Sequence, residues 1–267
     1  MAIRIPIGHW QWFTANIRRI SGALRYVNNL DKQNDPCRRF FAMEKLTYFL
    51  LLAGSIAIPL MRSFEPRIYF RRRWPALFAG ILVMMSLFIP WDILFTREGI
   101  WSFNHAYVAG VYIFGLPVEE WLFFVVISYC IVFSYEVLKY FFPGFVFPRT
   151  VMWLTLALGV LLIVIALFNT DRTYTFVVML LGGSLALLQP LIRSHQQWLS
   201  HFYLTYLVIL VPFFIVNGVL TSMPVVIYNN AENLGIRLSS VPVEDAVYLL
   251  GMMFMVQMVY EKTATSR

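Results

Sequence analysis

The chain has 267 residues, of which 60% are hydrophobic, 17% aromatic and only 13% charged, with a formal net charge of +7. Soluble globular domains carry charge on about a quarter of their residues, so this composition excludes one and makes the bilayer the solvent. The basic excess then concerns topology and anionic headgroups rather than nucleic acid.

Residues 1–42 differ from the rest. Phe13, Ile17, Ile20, Leu24 and Val27 fall on one helical face, Arg18, Arg19 and Arg25 point elsewhere, and Trp10 and Trp12 stand at the start. That is the pattern of a basic amphipathic extension lying at the membrane interface. It lacks the uninterrupted apolar core of a signal peptide. A second reading starts the protein at Met43, directly before the first apolar run. The two cysteines, Cys37 and Cys130, show no metal or disulfide spacing and read as small packing residues.

Seven apolar runs follow, at about 46–61, 75–92, 118–141, 149–168, 175–192, 202–220 and 242–260, each near the ~20 residues that span hydrocarbon. They predict an all-α polytopic membrane protein with seven transmembrane helices. Arg62, Arg67, Arg71, Arg72 and Arg73 crowd the first short loop, which places that side in the cytoplasm. Lys139, Arg149, Arg193, Lys262 and Arg267 share it. The opposite loops hold Arg97, Arg172 and Arg237. The expected location is a bacterial cytoplasmic membrane.

The sequence repeats itself at an offset of 125 positions. Asn104 coincides with Asn229, Gly110 with Gly235, Pro117 with Pro242, Glu119 with Glu244, Glu120 with Asp245, Tyr135 with Tyr260, and Glu136 with Glu261. The same offset lays the first three spans on the last three. Residues 43–141 therefore form one three-helix repeat, 171–267 a second, and 142–170 a linker helix. One extra crossing restores the orientation of the second unit, so the repeats are parallel, related by an axis along the membrane normal. The two acid pairs then lie at one depth, and a paired site between the halves follows.

Each acid pair stands at the mouth of a span, just behind a proline suited to a first helical turn. Ionisable groups at such depth are a functional hypothesis by default. Adjacent helical residues diverge by ~100°, so one acid can face the bundle while the other points aside. Glu136 lies ~24 Å further along the helix and anchors the other end. A neutral carboxylic acid in a dry site can donate a proton, and an ionised partner can accept one. Glu119 and Glu244 are expected to be the buried acids, with Glu120 and Asp245 as partners or proton acceptors. Asn104 and Asn229 are expected to orient them by hydrogen bonding. The surrounding aromatic residues, Trp91, Trp101, Phe103, Tyr107, Tyr112, Trp121, Phe123, Phe124, Tyr228 and Tyr248, suit a membrane-interface belt and packing, and some could turn π faces toward a cation. Trp121 and Tyr248 are the candidates for substrate contact. Among the histidines, His105 alone is near a motif. No metal ligand set is present.

The constellation Asn104…Pro117-Val118-Glu119-Glu120…Glu136, repeated as Asn229…Pro242-Val243-Glu244-Asp245…Glu261, resembles the small membrane lycopene cyclases over about 43–267, in their fused form. The resemblance implies cyclisation of the ψ-ends of lycopene to β-carotene by way of γ-carotene. Other carotenoid-pathway enzymes would then be its partners, beside membrane lipid. Related membrane proteins elongate carotenoids or hydrate their ends. Cyclisation involves no net redox change, so stoichiometry requires no cofactor. The chain also has no G-x-G-x-x-G following a strand.

The alternative is a small-solute transporter, since three spans, a linker span and three more is also the plan of small sugar carriers. The third and seventh spans are nearly bare of polar groups between the acids and the terminal glutamate, which favours an oily substrate. A retinal protein would need a lysine midway through a span. Lys32, Lys45, Lys139 and Lys262 all lie at or outside the ends.

Overall fold

The structure, a computed structural model, describes residues 45–192 and 196–265. The amphipathic segment 1–42, with Cys37, lies outside the described residues. The described residues form seven α-helices: α1 (Thr47–Arg62), α2 (Trp74–Arg97), α3 (Val118–Phe141), α4 (Thr150–Leu167), α5 (Thr173–Ile192), α6 (Gln196–Ser222) and α7 (Glu244–Thr265). The all-α reading therefore stands. Among the described residues, four stretches are long and apolar enough to cross a membrane: Phe70–Arg97, Val118–Phe141, Thr150–Leu167 and Gln197–Ser222. Helices α1 and α5 are apolar but shorter by that measure. Helix α7 is 22 residues long and less apolar, with Gln257, Glu261 and Lys262 toward its end. It can be so because other helices wrap it: Leu249, Leu250, Met252, Met253, Phe254, Val256 and Tyr260 are all buried.

Most helix bounds fall close to the apolar runs; α2, α6 and α7 extend well beyond theirs, and α2 is the informative case. Its run breaks at Asp92, but the helix continues to Arg97. Packing buries the Asp92 side chain, so a charge-bearing residue sits in mid-helix rather than at its end.

The repeat is visible in how the helices pair. Helix α1 packs on α3, as α5 packs on α7. The middle helices are exchanged: α2 of the first unit packs on α7 of the second, and α6 of the second on α3 of the first. The linker α4 packs on α5. Three short β-pairs cover one end. Strand β1 (Trp101–Phe103) pairs antiparallel with β4 (Val226–Tyr228), with Trp101 opposite Tyr228, Ser102 opposite Ile227 and Phe103 opposite Val226. Ser102 and Ile227 are themselves 125 apart, so a local two-fold axis passes through this pair. Hairpin β2–β3 (Tyr112–Ile113 with Leu116–Pro117) has its counterpart in β5–β6 (Arg237–Leu238 with Val241–Pro242), residue for residue at the same offset.

Candidate functional site: an acid-lined chamber between the repeats

The site is built from the loops between the middle and last helix of each repeat. Asn104 starts the first loop. Its Oδ1 accepts the N–H of Ala106 at 3.0 Å, the local turn that asparagine side chains favour. Asn229 does the same with Ala231 at 3.1 Å. Both loops then pass a glycine in the left-handed region, Gly110 at φ 85° and Gly235 at φ 72°, which any residue with a Cβ would adopt under strain. The turn aims backbone N–H groups at the first acid of each motif. Ala109 donates to Glu119 Oε1 at 2.6 Å, and Leu234 donates to Glu244 Oε1 at 2.7 Å. Thr175 also donates to Glu244 Oε1, at 2.7 Å. Glu119 and Glu244 are fully buried, and each keeps its Oε2 without a hydrogen-bond partner among the described residues.

These contacts correct the expectation for the asparagines. Their side-chain oxygens shape the loops, and it is the loop backbone that reaches the glutamates. The two acids of each motif have different surroundings. Glu119 and Glu244 hold the loops, whereas Glu120 and Asp245, a further ~100° round their helices, face a shared cavity of about 40 Å³.

Helices from both repeats line that chamber. Tyr48 on α1 donates to Glu120 Oε2 at 2.6 Å. Tyr174 on α5 donates to Asp245 Oδ1, and Tyr228 on β4 to Asp245 Oδ2 at 2.9 Å. Burial first, then the charge of Asp245, pushes the Tyr228 phenol well above its ordinary range, so it remains a donor. Asp92 enters from α2 and Asn217 from α6, at equivalent positions of the two repeats. Asp92 is 2% exposed, and its Oδ2 has no hydrogen-bond partner among the described residues. The chamber thus holds three carboxyl groups and one amide. Its walls are aromatic, including Trp101, Phe103, Phe123 and Tyr248. Tyr248 packs edge-on against Phe88 at 5.0 Å.

Other candidates lie elsewhere. Trp121 packs near Phe114 at 6.4 Å and does not line the chamber. His105 contacts the Tyr112 hydroxyl at the exposed end of its loop. Glu136 sits at the far end of α3, bonded to Arg73, to Lys139 at 3.5 Å and to Tyr260 at 2.9 Å. Lys139 also reaches Glu261 at 2.9 Å, so the terminal glutamates of the two repeats meet through one lysine. Asp92, Tyr48, Tyr174 and Asn217 were absent from the sequence-based candidates.

Duplicated three-helix units that converge on an acid-lined, aromatic-walled chamber describe a membrane-type protein. The lycopene cyclase family model matches the chain twice, over residues 45–138 and 171–263, and the chain belongs to that family. It is also 30% identical, over 91 residues, to a bifunctional lycopene cyclase/phytoene synthase of Podospora anserina. That match covers 33% of this chain and 14% of the fungal protein. No solved structure matches the chain.

Proposed function

We propose that the protein closes rings at the ends of a linear carotenoid by proton transfer, with lycopene as the substrate and β-carotene, by way of γ-carotene, as the product. The reading rests on one observation: Glu120 and Asp245, one from each repeat, face a common aromatic chamber with a phenol hydrogen bond on each. A carboxylic acid adds a proton to the terminal double bond of the polyene and leaves a tertiary cation. The neighbouring double bond attacks it, forming the ring bond and moving the cation onto the ring. A carboxylate then removes a ring proton. One proton enters and one leaves, so substrate and product are isomers.

Glu120 and Asp245 are the proposed proton-handling groups, and Asp92 is the third carboxyl within the same chamber. The phenols of Tyr48, Tyr174 and Tyr228 hold the two acids in place, since a proton-transfer group must stand within hydrogen-bond reach of its target. The π faces of Trp101, Phe103 and Tyr248 favour a cation beside them. Glu119 and Glu244 hold the loops that follow Asn104 and Asn229. Membership of the cyclase family and the apolar third helix favour this reading over the carrier. The site of action is the cytoplasmic membrane, where both substrate and product dissolve.

The test is expression in lycopene-accumulating cells followed by pigment analysis. Cyclic carotenoid is the predicted product. Unchanged lycopene, with the protein inserted in the membrane, would overturn the proposal.

A further inference from the structure

The chamber is far smaller than the ~300–1,000 Å³ of sites that enclose a small molecule. At about 40 Å³ it has room for a few waters, not for the end of a polyene with its chain. A second cavity is of the right size. It is a groove of about 470 Å³ between α1, α3 and α6, lined almost wholly by apolar residues, among them Leu51, Gly54, Ile127, Ile209 and Ile215. One residue, Phe213, lines both the groove and the chamber.

Two prolines border the groove. Pro59 lies within α1 and Pro212 within α6, directly before Phe213. A proline inside a helix has no N–H for the carbonyl four residues back and loosens the ladder there. The α6 backbone thus lacks one ladder hydrogen bond beside the aromatic ring between the two cavities.

The equivalent ring of the other repeat is packed more tightly. Phe88, the counterpart of Phe213, is fully buried between Trp91 at 5.3 Å and Tyr248 at 5.0 Å. Helix α2 lies hard against α7 because Gly80 has no side chain: a Cβ there would stand 2.7 Å from the Val256 carbonyl oxygen. On α6 the equivalent position is Thr205, whose hydroxyl bonds instead to the His201 carbonyl at 2.7 Å.

We propose that the α1–α3–α6 groove is the binding site for the linear polyene chain, and that Phe213 is the gate through which its end enters the chamber from the lipid side. This rests on the cyclase reading above and adds to it the route, the orientation and the asymmetry. The polyene lies along the groove, its end group against Phe213. When that ring turns aside, the end reaches Glu120 and Asp245. Entering by this portal, a symmetric substrate offers its two ends in succession and must leave and turn between them.

Gly54 provides the test, because a Cβ added there meets nothing within 4 Å. The series Gly54→Ala, Gly54→Leu and Gly54→Trp fills the groove in steps without touching the chamber. Ile215→Trp fills it from the α6 wall, and Leu161→Trp on α4 is the lipid-facing control. Each full chain is expressed in lycopene-producing cells, with pigment normalised to membrane-inserted protein. Conversion should fall with side-chain size, by about tenfold or more for Gly54→Trp, the equivalent of ~1.4 kcal/mol in binding. Ile215→Trp should follow it, and Leu161→Trp should match the wild type. Conversion that is independent of size at Gly54 and Ile215 would overturn the portal while leaving the cyclase reading intact. Lack of any cyclic product from the wild type would instead overturn the cyclase reading.

Discussion

Replacing Glu120 by Gln removes a proton-handling group and almost nothing else. The amide has the same shape, and its oxygen can still accept the Tyr48 hydroxyl now bonded to Glu120 Oε2 at 2.6 Å. The Tyr48 hydroxyl keeps its acceptor while the new amide N–H groups turn to the chamber, so the fold should lose about 1–3 kcal/mol at most, the scale of one unpaired buried donor. The chemical step loses far more. A positioned acid or base contributes ~10²–10⁴ in rate. At 1.36 kcal/mol per decade that is ~3–5 kcal/mol of transition-state stabilisation. The assay is the initial rate of cyclic carotenoid formation by purified protein in lipid vesicles loaded with lycopene, with melting followed in parallel. The variant should keep a cooperative melting transition and lose about a hundredfold or more in rate. A Glu120→Gln protein that melts normally and cyclises within about threefold of the wild type would refute the assignment.

Four further outcomes follow from the same geometry. Glu119→Gln and Glu244→Gln keep an oxygen for the N–H groups of Ala109 and Leu234 but bury an unpaired amide N–H₂ at the former Oε2, so each should lose about 1–3 kcal/mol in unfolding while the folded protein retains conversion within about tenfold of the wild type in the same vesicles. Tyr228→Phe gives Asp245 the surroundings that Phe103 creates in the first repeat, and should slow the reaction by about tenfold or more through loss of a charge-assisted hydrogen bond. Gly80→Ala drives a methyl group toward the Val256 carbonyl, and thermal or denaturant unfolding should report a loss of ~1–3 kcal/mol. A time course in vesicles should show the monocyclic carotenoid rising before the dicyclic one, because one portal admits one end at a time.

Much of this architecture was legible in the chain. Seven helices, their order and the duplicated unit follow from apolar runs and from a fixed offset, and both are properties of consecutive residues. The acid pairs stood out because charge is conspicuous in an oily sequence. The direction in which each acid points was not legible. It depends on the Asn104 and Asn229 loops folding back over their helices, a contact made across ten residues by backbone N–H groups that have no sequence signature. Asp92 escaped because it ended an apolar run and so looked like a helix terminus; only packing by the other repeat lets the helix pass through it. Tyr48 and Tyr174 sit near helix starts, where tyrosine ordinarily marks the membrane interface. Their pairing with the acids of α3 and α7 is tertiary. The exchange of middle helices between repeats, and the tight approach permitted by Gly80, lie equally beyond local pattern.

The most direct test of proton-driven ring closure is the isotopic mass of the product made in heavy water. Protein in lipid vesicles, given unlabelled lycopene in deuterated buffer, should yield cyclic carotenoid carrying one solvent deuteron for each ring closed, while unreacted lycopene stays unlabelled. Cyclic product formed at the normal rate with no deuterium incorporated would contradict the account.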